Sequence, residues 1–96
     1  MTNTDMSGGE ALQPVNDARY QDAVAAVLFA LSYRYTEKAC TTEGNIERAV
    51  KYREFTASSM GNARSYFDMS NSGVDAEALA QRIDRVISEY QQEQDQ

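Results

Sequence analysis

The sequence predicts an all-α protein, a small three-helix bundle that becomes a four-helix bundle if the second helix breaks. Two segments carry apolar residues at helical spacings of three and four, and no alternating apolar run is long enough for a strand. The single proline, Pro14, precedes every periodic segment, and 96 residues suffice for one domain. We therefore expect a flexible N-terminal tail over residues 1–14, one helical domain over residues 15–91 and a frayed C-terminus over residues 92–96.

The first helix is expected from about Asn16 to Thr36, with Asn16 or Asp17 as its N-cap. One face carries five apolar residues at helical spacing: Val24, Val27, Leu28, Leu31 and Tyr35. Alanines, Phe29 and Tyr33 fill most of the other faces. A helix that is apolar nearly all round is usually covered on several sides. This pattern predicts a central helix or a subunit interface, and the alanines favour close approach of its neighbours.

The second helix is expected to follow a connection at Glu37–Gly44, to begin near Thr42 or Asn45 and to run to about Met69. Its apolar stripe is interrupted at Arg53 and comprises Ile46, Ala49, Val50, Ala57, Met60, Ala63 and Phe67. Serines and a glycine collect in its middle, and glycine costs about 1 kcal/mol relative to alanine inside a helix. We therefore expect a bend or a break between Ser58 and Gly61.

The third helix follows a loop at Met69–Gly73 and has the clearest pattern. Asp75 is the expected N-cap, and Val74 can pack on Leu79 as a hydrophobic staple. One apolar seam recurs at spacings of three and four: Ala76, Leu79, Ile83, Val86 and Tyr90. Because only two heptads are present, we favour packing onto the first helix of the same chain over an intermolecular coiled coil.

The composition predicts a thin core. Apolar residues make up 42% of the chain, but 13 of them are alanine and only 16 are Leu, Ile, Val or Phe. Nine of those 16 lie in residues 24–31 and 79–87, which are dense enough to pair and fold. The second helix is the weak element, and there the chain is expected to rely on another surface.

Catalytic and metal-binding signatures are missing from the sequence. No histidine is present, which excludes Ser-His-Asp and zinc-protease arrangements, and one cysteine cannot form an intrachain disulfide or a thiolate cluster. Glu43 and Glu47 lie four residues apart, but acids in the first turn of the second helix are explained by the helix dipole. Cys40 is interpreted as a spectator at a helix end. We expect no enzyme, no cofactor and no metal; an enzyme that uses carboxylates or Cys40 is the least favoured alternative.

The charge argues against direct nucleic-acid binding. Nine basic and 15 acidic residues give a net charge of −6, whereas phosphate contacts need lysine and arginine. A short basic segment from Arg48 to Arg53 could hold a phosphate, but surface salt bridges with Glu47 and Glu54 are the favoured interpretation. The longest apolar run, Ala23–Leu31, is too short to span a membrane, and no signal peptide is apparent. We expect a cytoplasmic protein.

Tyrosine is unusually frequent, with six residues in the chain. Tyrosine and arginine are enriched among the residues that dominate binding energy at protein interfaces. The candidate partner-binding residues are Phe29, Tyr33, Arg34, Tyr35, Tyr52, Phe55 and Tyr66. The alternative, which is compatible, is that these tyrosines only edge the thin core.

Two functional hypotheses follow. In the first, the chain is a small acidic stoichiometric binder, such as an inhibitor or regulator of the kind encoded by phages or mobile elements, that blocks a basic, nucleic-acid-binding protein. In the second, it is a self-associating structural, assembly or secretion accessory subunit, for which a homodimer is the simplest form. Both are non-catalytic. Exposure of Phe29 and Tyr33 would indicate an interface on the first helix.

Overall fold

The computed structural model describes residues 15–94 and contains three helices, α1 (Asp17–Thr42), α2 (Ile46–Ser70) and α3 (Ala76–Gln94). The predicted all-α three-helix bundle is confirmed, and residues 15–94 contain no strand. The predicted tail at residues 1–14 and the last two residues lie outside the described part of the chain. No helix within residues 15–94 is long and apolar enough to cross a bilayer.

Each helix begins at a side-chain cap. Asn16 and Asn45 accept a hydrogen bond from the backbone N–H three residues later, with N···O distances of 3.2 Å, and Asp75 accepts one from Ala78 at 3.1 Å. A polar side chain at this position satisfies an otherwise unpaired N–H of the first turn. The predicted N-caps Asn16 and Asp75 are therefore confirmed, and so is Asn45 as one of the two predicted starts of the second helix.

The prediction that the first helix ends at Thr36 is wrong, because α1 continues for six further residues to Thr42. Glu37, Lys38 and Ala39 are good helix formers and propagate the helix. The chain turns only at Gly44, whose φ of +82° lies in the left-handed region that favours glycine. Glu43 consequently caps the C-terminus of α1 and does not belong to the first turn of α2.

The second helix is unbroken, contrary to the predicted break between Ser58 and Gly61. Met60 and Ala63, on either side of Gly61, are buried in the core. Tertiary packing of this kind commonly outweighs a local deficit in helix propensity. Four helices are therefore excluded for residues 15–94, and α2 extends to Ser70, where Asn71 ends it with a φ of +61°.

α1 and α2 form an antiparallel hairpin that supplies most of the core. The N–H of Asn16 donates to the carbonyl of Ser70 at 2.8 Å, which ties the start of α1 to the end of α2. Among residues 15–94, seven of the twelve buried apolar residues are alanines, so close approach of the helices replaces large side chains. The core cluster comprises Ala23, Ala26, Val27, Ala30 and Leu31 of α1, Met60, Ala63 and Phe67 of α2, and Ala76 and Ala80 of α3.

The chain itself does not cover all the apolar faces of α1, so the alternative that α1 lies at a subunit interface stays a prediction. Leu28, placed on the predicted core face, is 49% exposed, and Phe29 is 59% exposed. The buried face runs instead through the alanines around Val27, because small side chains let the two helices approach closely. The bulkier Leu28 and Phe29 therefore lie on the two flanks of this face.

α3 packs against the hairpin of its own chain, as predicted. Its buried residues are Ala76 and Ala80, both in the first half of the helix. An ion pair between Arg64 and Glu77 joins it to α2, and a hydrogen bond from Tyr35 to Asp84 joins it to α1. The second half of α3 contributes no fully buried residue.

Candidate protein-binding site

Four aromatic side chains from α1 and α2 pack on one another at the protein surface. We call Phe29, Tyr33, Tyr52 and Phe55 the aromatic surface. Tyr33 lies at its centre, with its ring centroid 6.4 Å from that of Phe29, 6.1 Å from that of Tyr52 and 5.4 Å from that of Phe55. Tyr52 and Phe55 meet edge to face at 5.7 Å. Such pairs have the separations and tilts that favour aromatic interaction.

Helical spacing and the antiparallel hairpin together build this surface. Phe29 and Tyr33 are four residues apart on α1, and Tyr52 and Phe55 are three apart on α2, so each pair shares a helix face. α3 contacts α1 through Tyr35. Because two residues correspond to about 200° around a helix, Tyr33 points away from that contact. The aromatic surface therefore lies on the side of the hairpin opposite α3.

The outer rings of the aromatic surface face solvent. Phe29 is 59% exposed and Phe55 is 48% exposed, whereas Tyr33 and Tyr52 are half-buried between them. Single exposed apolar residues are common, but four contiguous aromatic rings are typical of an interaction site. The two tyrosines are held by the neighbouring rings. They would therefore lose little side-chain entropy when a partner docks there.

Arg48 extends the aromatic surface at the end near the α1–α2 turn. Its guanidinium carbon lies 5.7 Å from the centroid of the Tyr52 ring, and its Nη2 donates to the Tyr52 hydroxyl at 3.4 Å. This hydrogen bond is the main cause that raises the pKa of Arg48. The favoured surface salt bridges are confirmed for Arg53, which pairs with Glu37 of α1 at 3.0 Å instead of with the flanking Glu47 or Glu54, whereas Arg48 packs on an aromatic ring.

Tyr66 lies further along the same side of the hairpin. The guanidinium carbon of Arg19 lies 5.6 Å from the centroid of its ring. Tyr66 and Phe29 line one shallow depression together with Asp22 and Ser59. Tyr66 is thus continuous with the aromatic surface, although its ring does not pack on the four rings that define it.

Arg34 and Tyr35, the other two candidate partner-binding residues, lie elsewhere. Tyr35 faces α3, and its hydroxyl donates a hydrogen bond to Asp84. The Nζ of Lys38 lies 5.6 Å from the centroid of the Tyr35 ring. The hydrogen bond to the Asp84 carboxylate is the main cause that raises the pKa of Tyr35, and burial adds to it. Arg34 lines an open polar groove where the three helices meet. The structure therefore brings together five of the seven candidates and separates these two.

Arg48 was missed as a candidate partner-binding residue, although the sequence contained a signal for it. Arg48, Tyr52, Phe55, Ser59, Asn62 and Tyr66 recur at spacings of four and three along α2. This is the period of one helix face. The stripe is mixed in character, with polar residues in its middle, and so differs from the apolar stripe by which helices are usually recognised.

The structure also places the residues considered for the weaker chemical alternatives. Glu43 caps the C-terminus of α1, whereas Glu47 lies in α2 beyond the Gly44 turn. The two residues therefore do not lie on one helix face. Cys40 is buried near the end of α1. Within residues 15–94, no three His, Cys, Asp or Glu side chains cluster closely enough to hold a metal ion.

The chain matches no protein-family model, no curated protein and no solved structure. Its function is therefore inferred from the chemistry of its surfaces.

Proposed function

We propose that this protein is a non-catalytic, stoichiometric binder that docks its aromatic surface on a basic protein partner. The partner class we favour is a nucleic-acid-binding protein, whose basic groove the acidic chain blocks. The observation that supports a binding function is the packing of Phe29, Tyr33, Tyr52 and Phe55 into one exposed aromatic surface.

The aromatic surface supports tight contact because its central side chain is held before binding. Tyr33 contacts three other rings, so its rotamer is fixed in the unbound protein. Preorganised side chains lose less entropy on association than freely rotating ones. Phe29 and Phe55 then supply the area that a partner buries, with Arg48 at the edge as a hydrogen-bond donor.

The choice of a basic partner depends on the charge of the whole chain. A net charge of −6 on 96 residues attracts a positively charged surface over a distance of about one Debye length, roughly 8–10 Å in physiological salt. Such attraction mainly raises the association rate and excludes acidic partners. The aromatic contacts then determine how long the complex lasts. Inhibition follows if the occupied groove is the one that binds nucleic acid.

The test compares wild-type protein with the double variant Phe29→Ser/Phe55→Ser as immobilised baits in a lysate of the source cells. We expect a basic nucleic-acid-binding protein to be retained by the wild type and lost with the variant, because both exposed rings are removed. The matched control is Val50→Ser, since Val50 is also exposed but belongs to no part of the aromatic surface. Circular dichroism should give the same helicity for all three proteins.

Binding measurements with the purified partner then test the aromatic contacts and the basic-groove mechanism separately. Removing both rings should raise Kd by about a hundredfold, which corresponds to two anchors of about 1.4 kcal/mol each. Binding should weaken with salt, and nucleic acid should compete with the chain for the partner. Salt-insensitive binding without competition would reject the basic-groove mechanism. Equal retention by wild type and double variant would reject the aromatic surface.

A further inference from the structure

The third helix carries an apolar seam that its own chain covers only in part. The buried residues of α3 are Ala76 and Ala80, and both side chains are small. Val86 is 64% exposed and Tyr90 is 61% exposed. The seam, which we define as Leu79, Ile83, Val86 and Tyr90, has the spacing of the a and d positions of a coiled coil. Leu79 and Ile83 reach the edge of the core but remain partly exposed.

We propose that a second copy of this chain docks on this seam, with the two α3 helices side by side and antiparallel. The proposal goes beyond the binding function above and does not depend on it. It follows from the placement of the seam residues, because Leu79 and Tyr90, like Ile83 and Val86, are equidistant along α3 from a point next to Arg85. A two-fold axis near Arg85 overlaps the two helices along their whole length.

The antiparallel register pairs the seam residues in complementary layers. Leu79 of one copy lies opposite Tyr90 of the other, and Ile83 lies opposite Val86. The two-fold axis repeats each layer, giving four apolar layers along the helix pair. In each outer layer the larger Tyr90 side chain, exposed in one copy, covers the smaller Leu79 of the other. A closed two-fold contact of this kind leaves no free seam for further copies.

The charged residues beside the seam select this orientation. Arg82 and Glu89 occupy equivalent flanking positions seven residues apart. In the antiparallel pair Arg82 of each copy faces Glu89 of the other, giving two ion pairs of opposite charge. In a parallel pair Arg82 would instead face the apolar Ile87. Within residues 15–94 neither Arg82 nor Glu89 forms an ion pair of its own chain, so both are available.

The proposed contact leaves the aromatic surface free. Leu28, which is 49% exposed, lies seven residues before Tyr35 and therefore two turns away on the same face of α1. Tyr35 is hydrogen-bonded to Asp84 of α3, so this face of α1 runs beside α3. The aromatic surface, on the other side of the hairpin, stays free, and the dimer presents two copies of it.

Sedimentation equilibrium of the full chain tests the proposal. We expect wild-type protein to dimerise with a Kd below about 1 mM. Val86→Asp should raise the dimer Kd by about tenfold or more, because it places a carboxylate in a central apolar layer. The matched control Gln92→Asp adds the same charge to an exposed position off the seam and should leave the dimer intact.

Charge reversal then tests the orientation. Arg82→Glu and Glu89→Arg should each weaken the dimer, and the double variant should restore it, because the two antiparallel ion pairs re-form with their signs exchanged. Failure of rescue, or a dimer insensitive to Val86→Asp, would overturn the proposal, as would a wild-type monomer at every concentration. The Phe29→Ser/Phe55→Ser variant should dimerise normally, so failure of the proposed function is distinguishable from failure of the dimer.

Discussion

The hydroxyl of Tyr35 donates a hydrogen bond to the carboxylate of Asp84, and this bond joins α1 to α3. The two residues are 49 positions apart in the chain. α3 also contacts the hairpin through the buried Ala76 and Ala80, the partly buried Leu79 and Ile83, and the Arg64–Glu77 ion pair. The Tyr35–Asp84 bond therefore helps to set how α3 lies against α1, and with it which side of α3 remains exposed.

Tyr35→Phe is expected to lower the free energy of unfolding by about 1 kcal/mol, since a hydrogen bond to a charged group is stabilising but this one is partly screened by solvent. Chemical denaturation monitored by circular dichroism measures the change. Tyr33→Phe is the control, because the Tyr33 hydroxyl forms no hydrogen bond within residues 15–94. A smaller loss for Tyr35→Phe than for this control would contradict the assigned role.

The same bond predicts a dependence on alkaline pH. The pKa of Tyr35 is raised from its ordinary 10.0 because the Asp84 carboxylate accepts the phenol proton in a hydrogen bond. The folded state thus holds this proton more tightly than the unfolded state. The stabilisation is fully present below pH 10.0 and is lost as the pH rises through the raised pKa. The stability difference between wild type and Tyr35→Phe should accordingly be constant near neutral pH and shrink above pH 10.0.

Gly61→Ala is expected to stabilise the protein by about 0.5–1 kcal/mol, because alanine loses less backbone entropy than glycine in a helix. A Cβ at this position would meet only the end of the Arg64 side chain, at 3.8 Å. The thermal midpoint should rise. Gly44→Ala should lower it, since the φ of +82° at Gly44 strains any residue with a Cβ. A lower midpoint for Gly61→Ala would mean that α2 needs glycine there.

Phe67→Ala is expected to destabilise the protein by about 3–5 kcal/mol, because Phe67 is the largest fully buried side chain and removal leaves a cavity. It also packs edge to face with Tyr20, with ring centroids 5.6 Å apart. Phe29→Ala removes an equally large but exposed ring and should cost less than about 1 kcal/mol. Urea denaturation of both variants measures the contrast. Similar losses would place Phe29 in the core and remove it from the proposed binding surface.

The helix boundaries show where local sequence is sufficient. Asn16, Asn45 and Asp75 act through hydrogen bonds to residues three positions away, so their roles were predictable from the sequence. The end of α1 was not predictable in this way, because threonines such as Thr41 and Thr42 are also common in turns. In the structure their hydroxyls donate to the carbonyls of Glu37 and Lys38 at 3.0 Å and remain compatible with the helix.

The partner-binding candidates divide in the same way. Composition and spacing indicated that Phe29, Tyr33, Tyr52 and Phe55 belong to helices and are available for contacts. Their meeting depends on the register of the α1–α2 hairpin, which brings residues about 20 positions apart to the same level. Tyr35 is only two residues from Tyr33, but that spacing turns it to the opposite side of the helix.

The sequence by itself determined the helical class, the three caps, the continuous seam of α3 and the thinness of the core, because each depends on composition or on neighbours within one or two turns. The tertiary structure decided which apolar residues are buried. Alanines took the contact between α1 and α2, since small side chains let two helices approach closely, and this left Leu28, Phe29 and Val86 exposed. Burial is a property of helix pairs and their register, and no single helix pattern encodes it.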